Sequence, residues 1–324
     1  MDIRQMRAIV TVVDEGGVTR AAEVLHLAQP SLSQTIRALE RELGVDLFHR
    51  VGRRLVLSAA GEALLGPARQ VLRDMETAAS SVAQVKGLVA GHLDLVAEPT
   101  LATDPVARLI GAFRVAFPGV TVRLAEPDNA AELASRVADG RSELGVAELP
   151  LSPARAEGQS LASEPLLVQD VLVVRPPGTP AGGDAVASLA GAPFVATPHG
   201  TSSRALVERA LVAAGVTPVI AVETEQREAL LPLVLAGAGS ALLPRPLAEQ
   251  ARRRGATVLE LVPPLRRTIG LVRRTGTLSP AARAFVELAR ALGAQSSSSG
   301  TGPKARSSSS SQSTGSASTS HLPI

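Results

Sequence analysis

Apolar positions in the first sixty residues follow helical spacing in three consecutive segments. The first segment predicts an amphipathic helix from the apolar residues Ile3, Met6, Ile9, Val10 and Val13. Gly16 and Gly17 are expected to end it, and Thr19 is expected to cap a short second helix. A third helix is predicted to begin at Gln29 and Pro30, because proline fits best in the first turn of a helix.

The third helix is expected to have two faces of opposite character. Its predicted buried stripe consists of Leu32, Ile36, Leu39 and Leu43. At about 100° per residue, the other face carries Pro30, Gln34, Arg37 and Arg41, with Ser33 on the flank. Glutamine and arginine can form paired hydrogen bonds to base edges, so this face suits a helix that enters a major groove by its N-terminal end.

Two short strand patterns follow the third helix and enclose a basic tip. Residues 45–50 and 55–57 predict the strands, with Gly52, Arg53 and Arg54 between them. A helix-turn-helix spacing is weak evidence by itself, and a small helical domain with a solvated charged face is the alternative. Combined with the polar helix face and the basic tip, the pattern predicts a winged helix-turn-helix that binds DNA over residues 1–58.

Residues 59–90 have one long helical pattern with a heptad-like apolar stripe. The stripe is formed by Leu65, Ala68, Leu72, Met75, Ala79 and Val82. Packing on the helix's own domain is the alternative, but a stripe between two domains favours pairing with a second copy. A dimer would also place two DNA readers on two symmetry-related half-sites.

From residue 91 to residue 293, short Val, Leu and Ala runs alternate with helical patterns. Strands are predicted at 92–97, 120–124, 171–174, 194–196 and 219–222. Strand, helix and strand of these lengths indicate βαβ units with parallel strands. Crossings near 162–165 and 265–268 would divide this domain into lobe I (about 91–162 plus 268–293) and lobe II (about 163–267).

Ligands in such sheets bind beyond the carboxyl ends of the strands. Those ends lead to residues 100–103 in one lobe and 197–203 in the other, and both segments precede helices. Free backbone N–H groups there favour an anionic or carbonyl-bearing ligand. Thr224 follows another strand and is expected at the same cleft. The alternative is that these Ser and Thr residues are ordinary helix caps and turn formers.

Motifs in the first sixty residues resemble the N-terminal signature of LysR-type transcriptional regulators. They are Thr-Arg-Ala-Ala-Glu-Val-Leu-His at 19–26, Gln-Pro-Ser-Leu-Ser at 29–33, Ile-Arg-Ala-Leu-Glu at 36–40, Leu-Gly-Val at 43–45, Leu-Phe-His-Arg at 47–50 and Leu-Ser-Ala-Ala-Gly-Glu at 57–62. The match has no gaps, and later matches extend to about residue 290. Val18 stands where the family usually has Phe, and Ala28 stands where a Ser is common.

The resemblance implies a fold and a set of site residues. The fold class is α/β overall, with a winged helix-turn-helix, a long linker helix and a two-lobed effector domain similar to periplasmic binding proteins. The implied DNA contacts are Gln29, Pro30, Ser31, Ser33, Gln34 and Arg37, with phosphate contacts from Thr19, Arg20, Arg50, Arg53 and Arg54. The implied effector contacts are Thr100, Thr103, His199, Thr201, Ser202 and Thr224.

The expected function is regulation of transcription through operator binding that a small-molecule effector modulates. The expected partners are double-stranded DNA, an effector that bears a carboxylate, and RNA polymerase. Further copies of the chain are expected too, since the resemblance implies a linker-helix dimer that is often doubled into a tetramer. The alternatives are a small-molecule-binding protein whose N-terminal module serves assembly, and an enzyme in the two-lobed domain.

The composition of the chain limits the kinds of binding and catalytic site that it can form. The net charge is only +3, so positive charge must be local to any DNA-binding surface. The chain has no cysteine, which excludes thiol chemistry, and its five histidines lack metal-ligand spacing. No P-loop, dinucleotide fingerprint or Gly-x-Ser-x-Gly motif is present. No catalysis, metal or cofactor other than the effector is therefore expected.

The two ends of the chain carry expectations about location and order. The N-terminus lacks a basic segment followed by an apolar run, and no run of eighteen apolar residues exists, which predicts a cytoplasmic protein without a membrane span. Residues 294–324 are rich in Ser and Gly. That segment is predicted to be a disordered tail, because it has almost nothing to bury.

Overall fold

The structure is a computed structural model that describes residues 1–52, 54–85, 91–151, 161–180, 185, 189–213, 215–217 and 219–298. At positions 50, 51, 54, 80–85, 202, 213 and 295–298 the description covers the backbone alone. The predicted phosphate contact Arg53 lies outside the described residues, as do residues 86–90 and 299–324.

Three helices and a hairpin form the N-terminal part. They are α1 (Ile3–Asp14), α2 (Val18–Val24), α3 (Gln29–Leu43), β1 (Phe48–Val51) and β2 (Arg54–Leu57). A capping box starts α1, where the Asp2 side chain accepts from the Gln5 backbone N–H and the Gln5 side chain accepts in return. The prediction that Thr19 caps α2 is wrong, because Gly17 is the N-cap and Thr19 lies inside the helix.

The core of this part joins α1, α2 and α3. Leu32, Ile36 and Leu39 of α3 are buried there, together with Met6 and Ile9 of α1. The predicted stripe of α3 is one residue too long, since Leu43 is 40% exposed. The reason is local: Gly44 adopts a φ of 70°, which ends the helix and leads the chain towards the hairpin.

The linker helix α4 (Ala59–Val85) follows Ser58, whose side chain caps its first turn. The Ser58 hydroxyl accepts from the Gly61 N–H at 3.1 Å and donates to the Asp46 carbonyl at 2.7 Å, which ties the hairpin to this helix. Leu65 and Ala68 are buried, and Ala68 belongs to the core of the three N-terminal helices. Packing on the helix's own domain, the alternative to dimerisation, therefore describes the first part of the stripe.

The second part of the stripe points elsewhere. Leu72 is half-buried against the helical core, whereas Met75 is 53% exposed and Ala79 is exposed. The side chain of Val82 lies outside the described residues. Val71, which the predicted stripe omitted, is 40% exposed.

One mixed sheet extends through most of the remaining chain. Its strands are β3 (Gly91–Ala97), β4 (Val120–Ala125), β5 (Leu144–Leu149), β6 (Leu161–Arg175), β9 (Ala241–Pro244), β10 (Thr257–Leu259) and β11 (Leu265–Arg274), and the separate parallel pair is β7 (Pro193–Ala196) with β8 (Val219–Glu223). The strand order is β10-β6-β11-β5-β3-β4, with β9 also on β6. The predicted parallel pairing is confirmed for β3 with β4 and β5.

The predicted crossings lie in β6 and β11. These strands are longer than the patterns suggested, and they pair with each other in antiparallel fashion from Leu161↔Arg274 to Val171↔Leu265. Parallel βαβ units alone therefore do not describe this domain. A strand that passes from one core to another changes its buried face along its length, which hides the regular alternation that would reveal it in sequence.

Helices pack against the strands of this sheet and of the β7–β8 pair. They are α5 (Pro99–Leu101), α6 (Ala107–Ala116), α7 (Ala130–Ala138), α8 (Ser202–Ala213), α9 (Leu230–Leu235), α10 (Arg245–Arg253) and α11 (Pro280–Ser298). One core lies between β3, β5, α6 and α11, and two others surround β7 and β9, so lobes I and II have separate cores.

The helices of the structure test two expectations, the start of the C-terminal tail and the absence of a membrane-spanning helix. Since α11 continues to Ser298, the predicted start of the tail at residue 294 is wrong, and the rest of that tail lies outside the described residues. The described part of the chain contains no helix that is both long and apolar enough to cross a membrane.

Candidate nucleic-acid interface and effector cleft

The outward face of α3 presents the predicted base contacts side by side. Gln29, Pro30, Ser31, Gln34 and Arg37 are exposed, while the buried side of the same helix packs into the core. Pro30 lies in the first turn, as the sequence predicted. Polar donors and acceptors therefore line the N-terminal half of one face of α3, and no described residue of this chain covers them.

Neighbouring polar groups order part of this face. The Gln29 side chain donates to the Ser33 hydroxyl at 3.1 Å, and the Arg41 side chain donates to the Arg37 carbonyl at 3.3 Å. Ser33 is half-buried. Gln34 and Arg37 thus form the centre of the exposed face, with Gln29 and Ser33 at its N-terminal side.

The other predicted DNA contacts flank α3. Thr19 and Arg20 lie exposed in the first turn of α2. The hairpin of β1 and β2 is antiparallel, with Val51 opposite Arg54 and a φ of 62° at Gly52. Of the wing arginines, Arg50 and Arg54 have backbone positions in these strands, and their side chains lie outside the described residues.

Glu40 is a positioning residue that the sequence reasoning missed. Its carboxylate accepts from the backbone N–H groups of Leu47 at 2.9 Å and Phe48 at 3.3 Å. The Glu40 side chain therefore holds the start of the β1–β2 wing against α3. The available signal was an acid on the flank of α3, four residues before Gly44.

Replacement of Glu40 by alanine should loosen the wing. Two part-buried backbone N–H groups would lose a charged acceptor, which typically costs about 1–3 kcal/mol. We expect amide exchange in β1 and β2 of the full-length protein to accelerate by about 5- to 100-fold. Glu23→Ala, an exposed site on α2, is the matched control. Unchanged exchange in the wing of the Glu40→Ala protein would contradict this role.

On the lobe I side of the cleft, Thr100 belongs to a buried polar network. Its hydroxyl accepts from Arg267 Nη1 at 3.2 Å, and Arg267 Nε donates to Gln169 Oε1 at 2.9 Å. Gln169 in turn donates to Asp104 Oδ2 at 3.1 Å. Arg267 is only 4% exposed. Burial lowers the pKa of Arg267, and the charge of Glu148 acts in the opposite direction.

On the lobe II side, two of the predicted threonines organise the backbone. The Thr201 hydroxyl accepts from the Arg204 N–H at 3.3 Å, which caps the start of α8. The Thr224 hydroxyl accepts from the Gln226 N–H at 3.1 Å and closes a turn. The alternative that such residues are caps and turn formers therefore applies to both, and their contact with an effector stays a prediction.

The remaining candidates differ in setting. His199 is exposed, with Nδ1 2.9 Å from Glu208 Oε1 and Nε2 3.1 Å from Arg204 Nη2, so it folds against α8. Thr103 is exposed, and the Ser202 side chain lies outside the described residues. His199 and Thr201 thus lie together in lobe II, and Thr100 lies in lobe I. Among the described residues, no cluster of three His, Asp or Glu side chains could hold a metal ion.

Two ion pairs connect the lobes directly, and no pattern in the sequence indicates either of them. Arg209 of α8 donates to Glu148 Oε1 at 2.6 Å, at the end of β5. Arg227, just before α9, donates to Glu126 Oε1 at 3.2 Å, directly after β4. Glu148 is the penultimate residue of β5 and Glu126 directly follows β4, so both acids lie at strand ends of lobe I. Their strength depends on how close the lobes stand.

Comparison with known families matches both halves of the chain. Residues 3–62 match the family described as "Bacterial regulatory helix-turn-helix protein, lysR family". Residues 86–294 match the "LysR substrate binding domain". Residues 63–85, which form most of the linker helix, lie between the two matches.

Characterised proteins resemble the chain over nearly its whole length. The SDS degradation transcriptional activation protein of a Pseudomonas strain is 36% identical over 292 residues, 88% of this chain and 94% of that protein. The RuBisCO operon transcriptional regulator of Allochromatium vinosum is 30% identical over 296 residues, 89% of this chain and 95% of that protein.

Solved full-length structures resemble this chain in fold. Full-length CbnR in complex with its target DNA has a TM-score of 0.61 and 25% identity over 90% of this chain and 99% of that one. A full-length OxyR variant from Pseudomonas aeruginosa shares the fold with a TM-score of 0.69, at 24% identity over 90% of this chain and 94% of that one.

Proposed function

Because the chain belongs to the LysR family of bacterial transcriptional regulators, we propose that Gln34 and Arg37 of α3 read base edges in the major groove of its operator. The protein is a DNA-binding transcriptional regulator with an effector-binding domain. The observation that carries the residue assignment is the exposed polar face of α3 opposite its buried Leu32, Ile36 and Leu39.

The residues around α3 are proposed to set its register on the duplex. Phosphate contacts orient a reader without carrying sequence information, and base contacts supply the specificity. We assign the first role to Thr19 and Arg20 of α2 and to the wing arginines Arg50, Arg53 and Arg54. Gln29 and Ser33, which hydrogen-bond to each other, are assigned to the N-terminal edge of the base-reading face.

A second copy of the chain is proposed to pair through the outer face of α4. Val71, Met75 and Ala79 are exposed on this helix, whereas Leu65 is buried and Ala68 belongs to the N-terminal core. A symmetric dimer would present two copies of α3 to two half-sites. We also propose that two such dimers form a tetramer and that the protein contacts RNA polymerase at the promoter.

The effector is proposed to bind between the lobes at Thr100. The Thr100 oxygen accepts from the Arg267 guanidinium, so its own O–H turns away and can donate to a ligand acceptor. A carboxylate or carbonyl group meets that requirement. We propose that the protein acts by binding this ligand without turning it over, and that it works in the cytoplasm, where the bacterial chromosome lies.

A thermal-shift screen of small carboxylates against the full-length protein tests this site. A ligand at a hundred times its Kd should raise the apparent stability by about 2.7 kcal/mol, because it binds only the folded state. Thr100→Val should reduce the shift for such a ligand by weakening its binding. Thr121→Val, at an exposed position of β4, is the matched control and should retain it. Equal shifts in both variants, or no shift with any carboxylate, would count against Thr100 as the contact.

A further inference from the structure

A short turn of lobe I, residues 139–141, lies against the linker helix. Arg73 of α4 donates to the Gly140 carbonyl. One turn earlier on α4, Arg69 Nη1 lies 3.8 Å from Asp139 Oδ1, and Arg69 Nη2 donates to Asp14 at the end of α1. A single buried guanidinium, 5% exposed, therefore contacts both the DNA-binding domain and the effector domain.

Two glycines make this contact close. An ideal Cβ at Gly66 would lie 3.9 Å from the Asp139 Cα, so the helix and the turn meet backbone to backbone there. Gly140 has a φ of 76°, and a Cβ on it would overlap the Arg73 guanidinium. A side chain larger than hydrogen at Gly140 would thus be strained and would displace Arg73.

The charges in this junction are partly compensated. Burial lowers the pKa of Arg73 to about 10, with a further lowering from Arg274, so Arg73 is still a cation at neutral pH. Arg69 Nη1 is buried and has no hydrogen-bond partner among the described residues. A buried charge whose pairing is incomplete is sensitive to small displacements, because its attraction to Asp139 changes steeply with distance at low dielectric.

Helix α7 connects this turn to the cleft. Its N-cap Asn129 accepts from the N–H groups of Ala131 and Glu132, and three residues before that cap, Glu126 pairs with Arg227 of lobe II. Its other end is Asp139, the C-cap. Nine residues at about 1.5 Å each make a rod of about 13 Å with one end at the second lobe and the other at the linker helix.

We propose that α7 transmits the closure of the cleft to the DNA-binding domain. Movement of lobe II changes the Glu126–Arg227 pair, shifts α7, and alters the contacts of Arg69 and Arg73 with the 139–141 turn. These contacts set the angle between the linker helix, with its DNA reader, and the effector domain. The inference rests on the proposed function only in that a ligand closes the cleft. Coupling of this kind typically changes affinity by about 5- to 150-fold.

The first test is a double-mutant cycle in the full-length protein on an operator duplex obtained by selection from random sequence. Glu126→Gln weakens the interlobe pair, and Asp139→Asn weakens the linker contact. We expect each variant to change operator affinity, and the double variant to differ by less than the product of the two effects, because both act through α7. Glu287→Gln, exposed on α11, is the matched control. Independent, multiplicative effects would overturn the proposal.

The second test does not depend on DNA. Amide exchange in α4 near Arg69 and at the end of α1 should change when Glu126 is replaced by Gln, although that residue lies on the far side of α7. Unchanged exchange there would overturn the coupling even if DNA binding were normal. If the wild-type protein instead preferred no duplex sequence, the proposed function would fail, and the exchange measurement would still decide the coupling.

Discussion

The combined replacement Gln34→Ala/Arg37→Ala is expected to remove the sequence preference of the protein on duplex DNA. Both side chains are exposed at the centre of the outward face of α3, and neither takes part in the core, so the domain should keep its fold. Each well-paired base contact is worth about 1–3 kcal/mol of discrimination. Fluorescence anisotropy with the operator and a scrambled duplex should show a loss of operator affinity of about 30- to 25,000-fold.

The matched control removes the same two residue types from an exposed helix elsewhere. Gln250→Ala/Arg252→Ala lies on α10 of lobe II and changes the net charge by the same amount. It should leave the operator preference unaltered, with only a small change in nonspecific, salt-dependent binding. Full sequence preference in the α3 variant would refute the assignment of Gln34 and Arg37.

Aspartates at Val71 and Met75 are expected to convert the protein to monomers. These side chains are 40% and 53% exposed on α4, so charge there should cost the monomer little and should oppose a second copy strongly. Loss of the paired reader removes the intramolecular second contact with a two-site operator. Affinity for that duplex should fall by about 100- to 10,000-fold, while sedimentation velocity should report a single chain.

A control and a contrasting variant make this result specific. Val115→Asp introduces the same charge at a valine that is 86% exposed on α6 and should leave the oligomer intact. Leu65→Ala should act differently, because Leu65 is buried and its loss should lower the stability of the monomer. A Val71→Asp/Met75→Asp protein that sediments as a dimer would show that the second copy binds elsewhere.

The linker helix α4 has three sides with different surroundings. Ala68 packs in the N-terminal core, Arg69 and Arg73 contact lobe I, and Val71 and Met75 lie on the exposed side. Residues three and four apart share a helix side, so these contacts are interleaved along one element. Rotation or tilt of α4 on lobe I would consequently move the reader and the proposed dimer face together.

The two faces of α3 could be predicted from sequence because the helical period is local. Burial of Leu32, Ile36 and Leu39 and exposure of Gln34 and Arg37 both follow from 3.6 residues per turn. Glu40 could not be recognised in the same way. Its partners are backbone N–H groups seven and eight residues later, and only the position of the wing shows that they need an acceptor.

The apolar stripe of α4 shows what a local sequence pattern cannot predict. Heptad spacing identifies a helix side that needs apolar cover, but it does not say which surface supplies the cover. The tertiary structure buries Ala68 in the core of the helix's own domain and leaves Met75 exposed. Likewise, Thr201 and Thr224 come after strands as predicted. Their hydroxyls accept hydrogen bonds from nearby backbone N–H groups, and the sequence pattern does not distinguish this local role from contact with a ligand.

The sequence by itself determined the reader helix, the family, the alternation of strands and helices and the approximate division into domains, because all of these depend on periodicity and motifs within short segments. The tertiary structure alone decided the antiparallel pairing of β6 with β11, the burial of Arg267 beside Thr100 and the ion pairs between lobes. It also decided the meeting of Arg69 with Asp14 and Asp139, residues 55 and 70 positions away. Contacts of that range depend on how whole elements pack, and no spacing in the chain encodes them.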